Sequence, residues 1–220
     1  MDAQRIEYLL LSLPVLLFSL TAHEFAHAWV ALRQGDDTAY MLGRVSMNPA
    51  AHLDPIGSLL FPAIAILSNL PLLGWAKPVP TNPRKYRNYV RGDVLVSIAG
   101  VVANAILAVA FAILVIVIMR SVPDPRAMSG PVDTVVRMCL YGVMGNVGLI
   151  LFNLLPIPPL DGSHVLYHLL PADWAAEYRK LYPFGMIILW GMVLLGLFRF
   201  LGPAIYGIVN FLIFPSGIRL

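Results

Sequence analysis

The chain carries six uncharged apolar stretches, at residues 8–22, 55–76, 94–119, 138–160, 182–198 and 200–218. About 20 apolar residues cross the ~30 Å hydrocarbon core of a bilayer as a helix. Backbone in lipid must satisfy its own hydrogen bonds, which leaves helices as the economical way to cross. These runs predict an all-α polytopic membrane protein with about five to six transmembrane helices. Composition agrees: 59% of the 220 residues are hydrophobic and 12% charged, against roughly 25% charged in a soluble domain. The stretches between the runs, at 33–54, 77–93, 120–137 and 161–181, are too short to bury a core. A single membrane domain over 1–220 is therefore expected. The net charge of +3 is not set among polar, aromatic-rich surface, so nucleic acid is not an expected partner. Cys139 stands alone in an apolar run and reads as a small packed side chain.

The runs differ in character. Residues 94–119 are rich in Val, Ile, Leu and Ala and lack proline, which predicts a regular helix. Residues 55–76 hold Pro55, Gly57, Pro62, Asn69 and Pro71 and lead into Pro78 and Pro80, which predicts a broken or re-entrant segment followed by extended chain. The last two runs are divided by Arg199 and read as a hairpin turning near Gly202–Pro203. The first run lacks a basic leader and reads as a retained span.

That first run ends in His23-Glu24-Phe25-Ala26-His27. Residues four apart share a helix face, so both imidazoles reach one metal ion, and Glu24, offset between them, is free to accept a proton from water. Ionisable groups inside an apolar helix are costly and usually serve a site. A polar cluster gluing helices together is the competing reading.

Two histidines leave a tetrahedral zinc short of one protein ligand. A third histidine downstream on the same helix is absent, since Val30 and Arg33 fill the positions such a continuation would use. The remaining candidates are His52, Asp161, His164, His168 and Glu177. His52 sits in a polar loop, and His164 with His168 reads as the polar face of a short helix. Asp161 is the strongest candidate. Pro156, Pro158 and Pro159 must unwind the preceding span. Unwound backbone needs a wet or protein-lined cavity, where an aspartate calls for a cation. Capping of the next helix is its plainer alternative role.

Taken together, His23-Glu24-Phe25-Ala26-His27, the run Asn153-x-x-Pro156-x-Pro158-x-x-Asp161-Gly162, and Gly100 with Asn104 resemble the site-2 protease family of intramembrane zinc metalloproteases, in its small bacterial branch without a PDZ domain. The likeness covers nearly the whole chain; it departs at Val101, where members often carry proline. The resemblance implies zinc bound by His23, His27 and Asp161, Glu24 as catalytic base, and Asn104 and Asn153 as substrate-positioning residues. It also implies membrane-protein substrates with a transmembrane helix and a bacterial plasma-membrane location.

Topology supplies a separate condition. His23 lies about ten residues before Arg33, on the order of 15 Å below the surface. Asp161 follows the end of its own span, so the two meet only if their spans run the same way. With 94–119 crossing once, 55–76 should not cross. Arg33, Arg44, Lys77, Arg84, Lys85, Arg87, Arg91, Arg179 and Lys180 then share one face, against Arg5, Arg120, Arg126, Arg137 and Arg199 on the other. Positive residues favour the cytoplasm, so the site should open there. Residues 38–47 or 74–80 read as extended edges for a locally unwound substrate. A haem-binding helical protein explains the histidines but leaves Glu24 and Asp161 without a task. An idle scaffold of the same fold is the other alternative.

Overall fold

The computed structural model describes residues 3–67, 75–122 and 128–213. It is helical throughout, with no strand among the described residues. Among the described residues three helices are long and apolar enough to cross a membrane: α1 (Ala3–Gln34), α4 (Tyr89–Ser121) and α5 (Pro131–Asn153). Between α1 and α4 lie the short α2 (Thr38–Met41) and α3 (Phe61–Leu67). After α5 come α6 (Asp161–Leu169), α7 (Ala172–Arg179), α8 (Gly185–Leu194) and α9 (Leu201–Ile213).

Polar side chains within the spans are satisfied locally, as lipid demands. Ser19 Oγ donates to Val15 O at 2.9 Å and Thr21 Oγ1 to Leu17 O at 2.7 Å, each one turn back along α1. Asn146 on α5 donates to Ser19 Oγ at 2.9 Å and to Gly142 O at 2.8 Å, tying α1 to α5 in mid-span. The apolar core joins Ala108, Ala112, Val115 and Met119 of α4 to Val136, Cys139, Val143 and Val147 of α5. Small residues recurring every three or four positions let the two backbones approach closely. Cys139 is thus a packed side chain, and Val209 and Ile213 of α9 close the cluster.

Contacts at the helix ends fix direction. Arg87 N donates to Gln34 O at 2.8 Å, so α4 begins where α1 ends. Arg137 near the start of α5 pairs with Glu7 near the start of α1 at 3.6 Å. Hence α1 and α5 run parallel, with α4 antiparallel between them. That arrangement requires residues 55–76 to turn back, and their two ends are hydrogen-bonded together. Trp75 N donates to Gly57 O at 3.1 Å and Lys77 N to His52 O at 2.8 Å, while Ser58 Oγ donates to Trp75 O at 2.8 Å. The segment enters through wide helical turns at Pro55–Leu60 and continues as α3, and residues 75–77 lie back beside its start. Asn69, Pro71 and Gly74 lie outside the described residues, as does Arg126.

Three sequence-based expectations are corrected. Among the described residues the candidate spans number three, or four if the bent pair 172–194 and 197–213 makes one, rather than five to six. At ten and thirteen described residues, α8 and α9 reach roughly 15 and 20 Å, against ~30 Å of hydrocarbon. They meet in a 71° bend rather than a hairpin. The break falls at Gly196, whose φ of +66° suits glycine, and Gly202–Pro203 continue inside the first turn of α9. Phe198 packs its ring 5.3 Å from that of Phe152 at the end of α5. Thirdly, residues 38–41 are helical as α2, whereas 75–82 are extended without a ladder partner.

Cysteines introduced at Thr81 and Ser129, both exposed, should be labelled by an impermeant maleimide from opposite sides of the membrane. Labelling of both from one side would contradict the parallel course of α1 and α5.

Candidate metal centre

The centre begins with the helical spacing of α1. His23 and His27, one turn apart, bring their Nε2 atoms to 3.0 Å. Asp161 reaches the same point from the start of α6. Its Oδ2 lies 3.3 Å from His23 Nε2 and 3.5 Å from His27 Nε2. Asp161 can arrive there because α5 stops at Asn153 and the proline-rich stretch that follows turns the chain before α6 begins.

The remaining ring nitrogens settle what these atoms can bind. His27 Nδ1 lies 2.7 Å from the Val96 carbonyl, which can only accept, so Nδ1 carries the proton. His23 Nδ1 lies 3.1 Å from Asn104 Oδ1, and the same logic puts its proton there. Both Nε2 atoms of the neutral rings are then bare lone pairs. They face each other and a buried Asp161 Oδ2 that has no hydrogen-bond donor. Three converging electron pairs repel one another unless a cation lies among them. Two imidazoles and one carboxylate suit zinc, with a fourth position left for water or substrate. The separation of 3.0 Å between the two Nε2 atoms also leaves no room for a porphyrin between the rings.

The middle helix backs this arrangement. Gly100 of α4 faces both rings, and a Cβ there would sit 2.5 Å from His23 Cε1 and from His27 Nε2. Only a residue without a side chain lets α4 approach so near. Asn104, one turn further on, is fully buried behind His23 and does not line the cavity.

In front of the centre lies a cavity of about 460 Å³ bounded by α1, α4, α6, α8 and the re-entrant hairpin. Glu24 and Asn153 are on its wall. Glu24 Oε2 accepts a hydrogen bond from Val79 N at 2.9 Å, while Asn153 Nδ2 donates to Leu149 O at 3.0 Å within its own helix. Phe61 and Trp75 each meet Trp190 edge to face and lie tilted to one another on the apolar side, with ring centroids 5.1 to 5.8 Å apart.

The other ligand candidates lie apart from the centre. His52 is buried, with Nε2 donating to Ser46 O at 2.8 Å. Glu177 is exposed and pairs with Lys180. His164 and His168 both turn to Asp93, a residue that sequence reasoning left at the end of a loop. Its signal was position: three residues before Val96, it shares the face of α4 that receives His27.

Comparison with known proteins agrees with this geometry. Residues 11–192 match the profile described as Peptidase family M50. The chain belongs to that family. It is 39% identical over 174 residues to "Putative zinc metalloprotease YwhC" of Bacillus subtilis, covering 79% of this chain and 75% of that protein. It is also 32% identical over 206 residues to "Putative zinc metalloprotease Rip2" of Mycobacterium tuberculosis, covering 92% and 72%. No solved structure matches. The protein is an integral-membrane metalloprotease of the site-2 type with zinc as its cofactor.

Gly100→Ala and Asn104→Ala disturb the histidines without removing a ligand atom. Each should weaken zinc binding by about 10–100-fold in a chelator-competition titration, with helicity by circular dichroism retained. Unchanged zinc affinity in both variants would detach α4 from the metal centre.

Proposed function

We propose that this metalloprotease hydrolyses peptide bonds within or near transmembrane segments of membrane proteins, the chemistry of regulated intramembrane proteolysis. His23, His27 and Asp161 hold the zinc, Glu24 is the base, and residues 1–220 act as one membrane domain. The observation that carries this reading is the convergence of three lone pairs below the membrane surface, beside a carboxylate on the same cavity wall.

Zinc, when bound, polarises the peptide carbonyl and makes water acidic enough to attack at neutral pH. Glu24 accepts the proton that water gives up as its oxygen bonds to the carbonyl carbon. When the C–N bond breaks, the same carboxyl delivers that proton to the leaving nitrogen, so atoms and charge balance. Val79 N–H holds Oε2 of Glu24, which leaves Oε1 to make this exchange. Asn104 orients His23 through its carboxamide, and Asn153 offers the oxygen of its own to a substrate N–H.

An intact helix hides its peptide bonds, so the substrate must unwind where it enters the cavity. The extended residues 75–82 run along the entrance, but as a strand template they are poor in donors. Pro78 and Pro80 have no N–H, and that of Val79 is engaged by Glu24. A substrate strand there would pair mainly with carbonyls. The excess of Lys and Arg on the face into which the cavity opens supports a cytoplasmic entrance in a bacterial plasma membrane. An idle scaffold would have no use for Glu24 at this position.

Glu24→Gln should keep its zinc and lose about 10²–10⁴-fold in cleavage rate, assayed by co-expression with single-span membrane proteins. Those proteins should accumulate uncut with the variant and be shortened by the parent. Removing zinc with a chelator should abolish cleavage in purified samples, and adding zinc back should restore it. Cleavage by Glu24→Gln at the parent rate would remove the base from this mechanism.

A further inference from the structure

Besides the metal ligands, one cluster of ionisable groups reaches the same cavity and has no part in the steps above. Asp93 is buried in the first turns of α4. Its Oδ2 accepts from His168 Nε2 at 2.8 Å and faces His164 Nδ1 at 3.3 Å. The two histidines are not equivalent. His168 is closed in, with its side chain 6% exposed and its ring against Tyr89. His164 is 38% exposed and lines the cavity together with Glu24 and Asp161. Its Nε2 makes no hydrogen bond among the described residues.

A carboxylate only accepts, so the Nδ1 of His164 carries a proton toward Asp93. In its imidazolium form the ring carries a second proton, on Nε2. In that form the cavity wall presents an N–H whose direction is set by the contact of Nδ1 with Asp93. Its place is also set. Asp161 opens α6 and His164 follows one turn later, and helix positions three apart have Cβ atoms about 5–6 Å from each other. A peptide carbonyl drawn to a cation at Asp161 comes within reach of that imidazole.

We propose that His164, aimed by Asp93, is a further catalytic residue whose Nε2–H donates a hydrogen bond to the carbonyl oxygen of the peptide bond being cut. This rests on the proteolytic reading given above. Negative charge grows on that oxygen as water adds to the carbonyl carbon, and a donor already in place gains strength as the charge develops. His164 transfers no proton. The electron pair returns to the carbonyl as the C–N bond breaks, and the amine takes its proton from Glu24. Asp93 is a positioning residue, and His168 holds it from the far side.

The test uses the full chain with zinc in lipid nanodiscs, and a fluorogenic Leu/Ala transmembrane peptide with a central Gly-Pro break. The parent should cleave it and Glu24→Gln should not. His164→Ala should lower kcat by about 10²–10³-fold, with KM and zinc content kept within about threefold of the parent. His164→Gln, whose amide also donates, should recover at least about tenfold of that loss, and Asp93→Asn should lower kcat less than His164→Ala. A phosphinic peptide that mimics the tetrahedral state should bind His164→Ala about 10²-fold more weakly than the parent. The proposal is overturned by a kcat for His164→Ala within about threefold of the parent. It is equally overturned if Gln and Ala at this position are equally impaired, which would mean packing, or if zinc is lost, which would mean a role through α6. Failure of the zinc-loaded parent to cleave removes the proteolytic reading and this inference together; cleavage by the parent and His164→Ala alike removes the inference alone.

Discussion

The two hydrogen bonds behind the histidines govern much else in this molecule. Val96 O and Asn104 Oδ1 each take a ring proton from the far nitrogen, and both acceptors belong to α4. Because they can only accept, the near nitrogens are left as electron pairs pointing at one another inside a helix bundle. Such a cluster is unfavourable in a low-dielectric interior until a cation arrives. The middle helix thus acts on the centre without contributing a ligand. It fixes ring tautomer and ring orientation, and through Gly100 it fixes how closely the rings and the helix can lie.

The carboxylate side of the centre depends on a different device. Asp161 is carried by a short helix that follows an unwound stretch, and α6 is secured to α4 one turn further on by the contacts of His164 and His168 with Asp93. Both halves of the proposed ligand set therefore refer to α4: α1 through ring hydrogen bonds and α6 through the contacts with Asp93. Glu24 is held by neither. It takes its hydrogen bond from the extended segment after the hairpin, so the proposed base is tied to a part of the chain that borders the cavity entrance.

Much of this could be read from residue order, and the reasons are physical. A spacing of four on a helix leaves little freedom, so two imidazoles flanking Glu24 had to share a face. Three prolines before Asp161 had to end a span, whatever followed. The absence of a crossing in residues 55–76 came from the need for α1 and α5 to run parallel. What could not be read were features set by tertiary contact. An amide such as Asn104 offers both a donor and an acceptor, and only its neighbour decides whether it serves substrate or ligand. Asp93 adjoins an apolar run, where a carboxylate at the membrane surface and one buried against histidines look alike in sequence. The bend between α8 and α9 was missed because an arginine between two apolar runs usually marks an exit from the bilayer, whereas here the neighbouring Phe198 packs against Phe152 of α5.

The re-entrant hairpin is closed at its base, where Lys77 and Trp75 bond back to His52 and Gly57. All three proposed ligands lie elsewhere in the chain. Insertions or deletions between Leu67 and Trp75 would accordingly leave that clasp, and the register of α1 and α4, in place. Divergence in this part of the chain could reshape what is admitted to the cavity while the metal-binding chemistry stays constant.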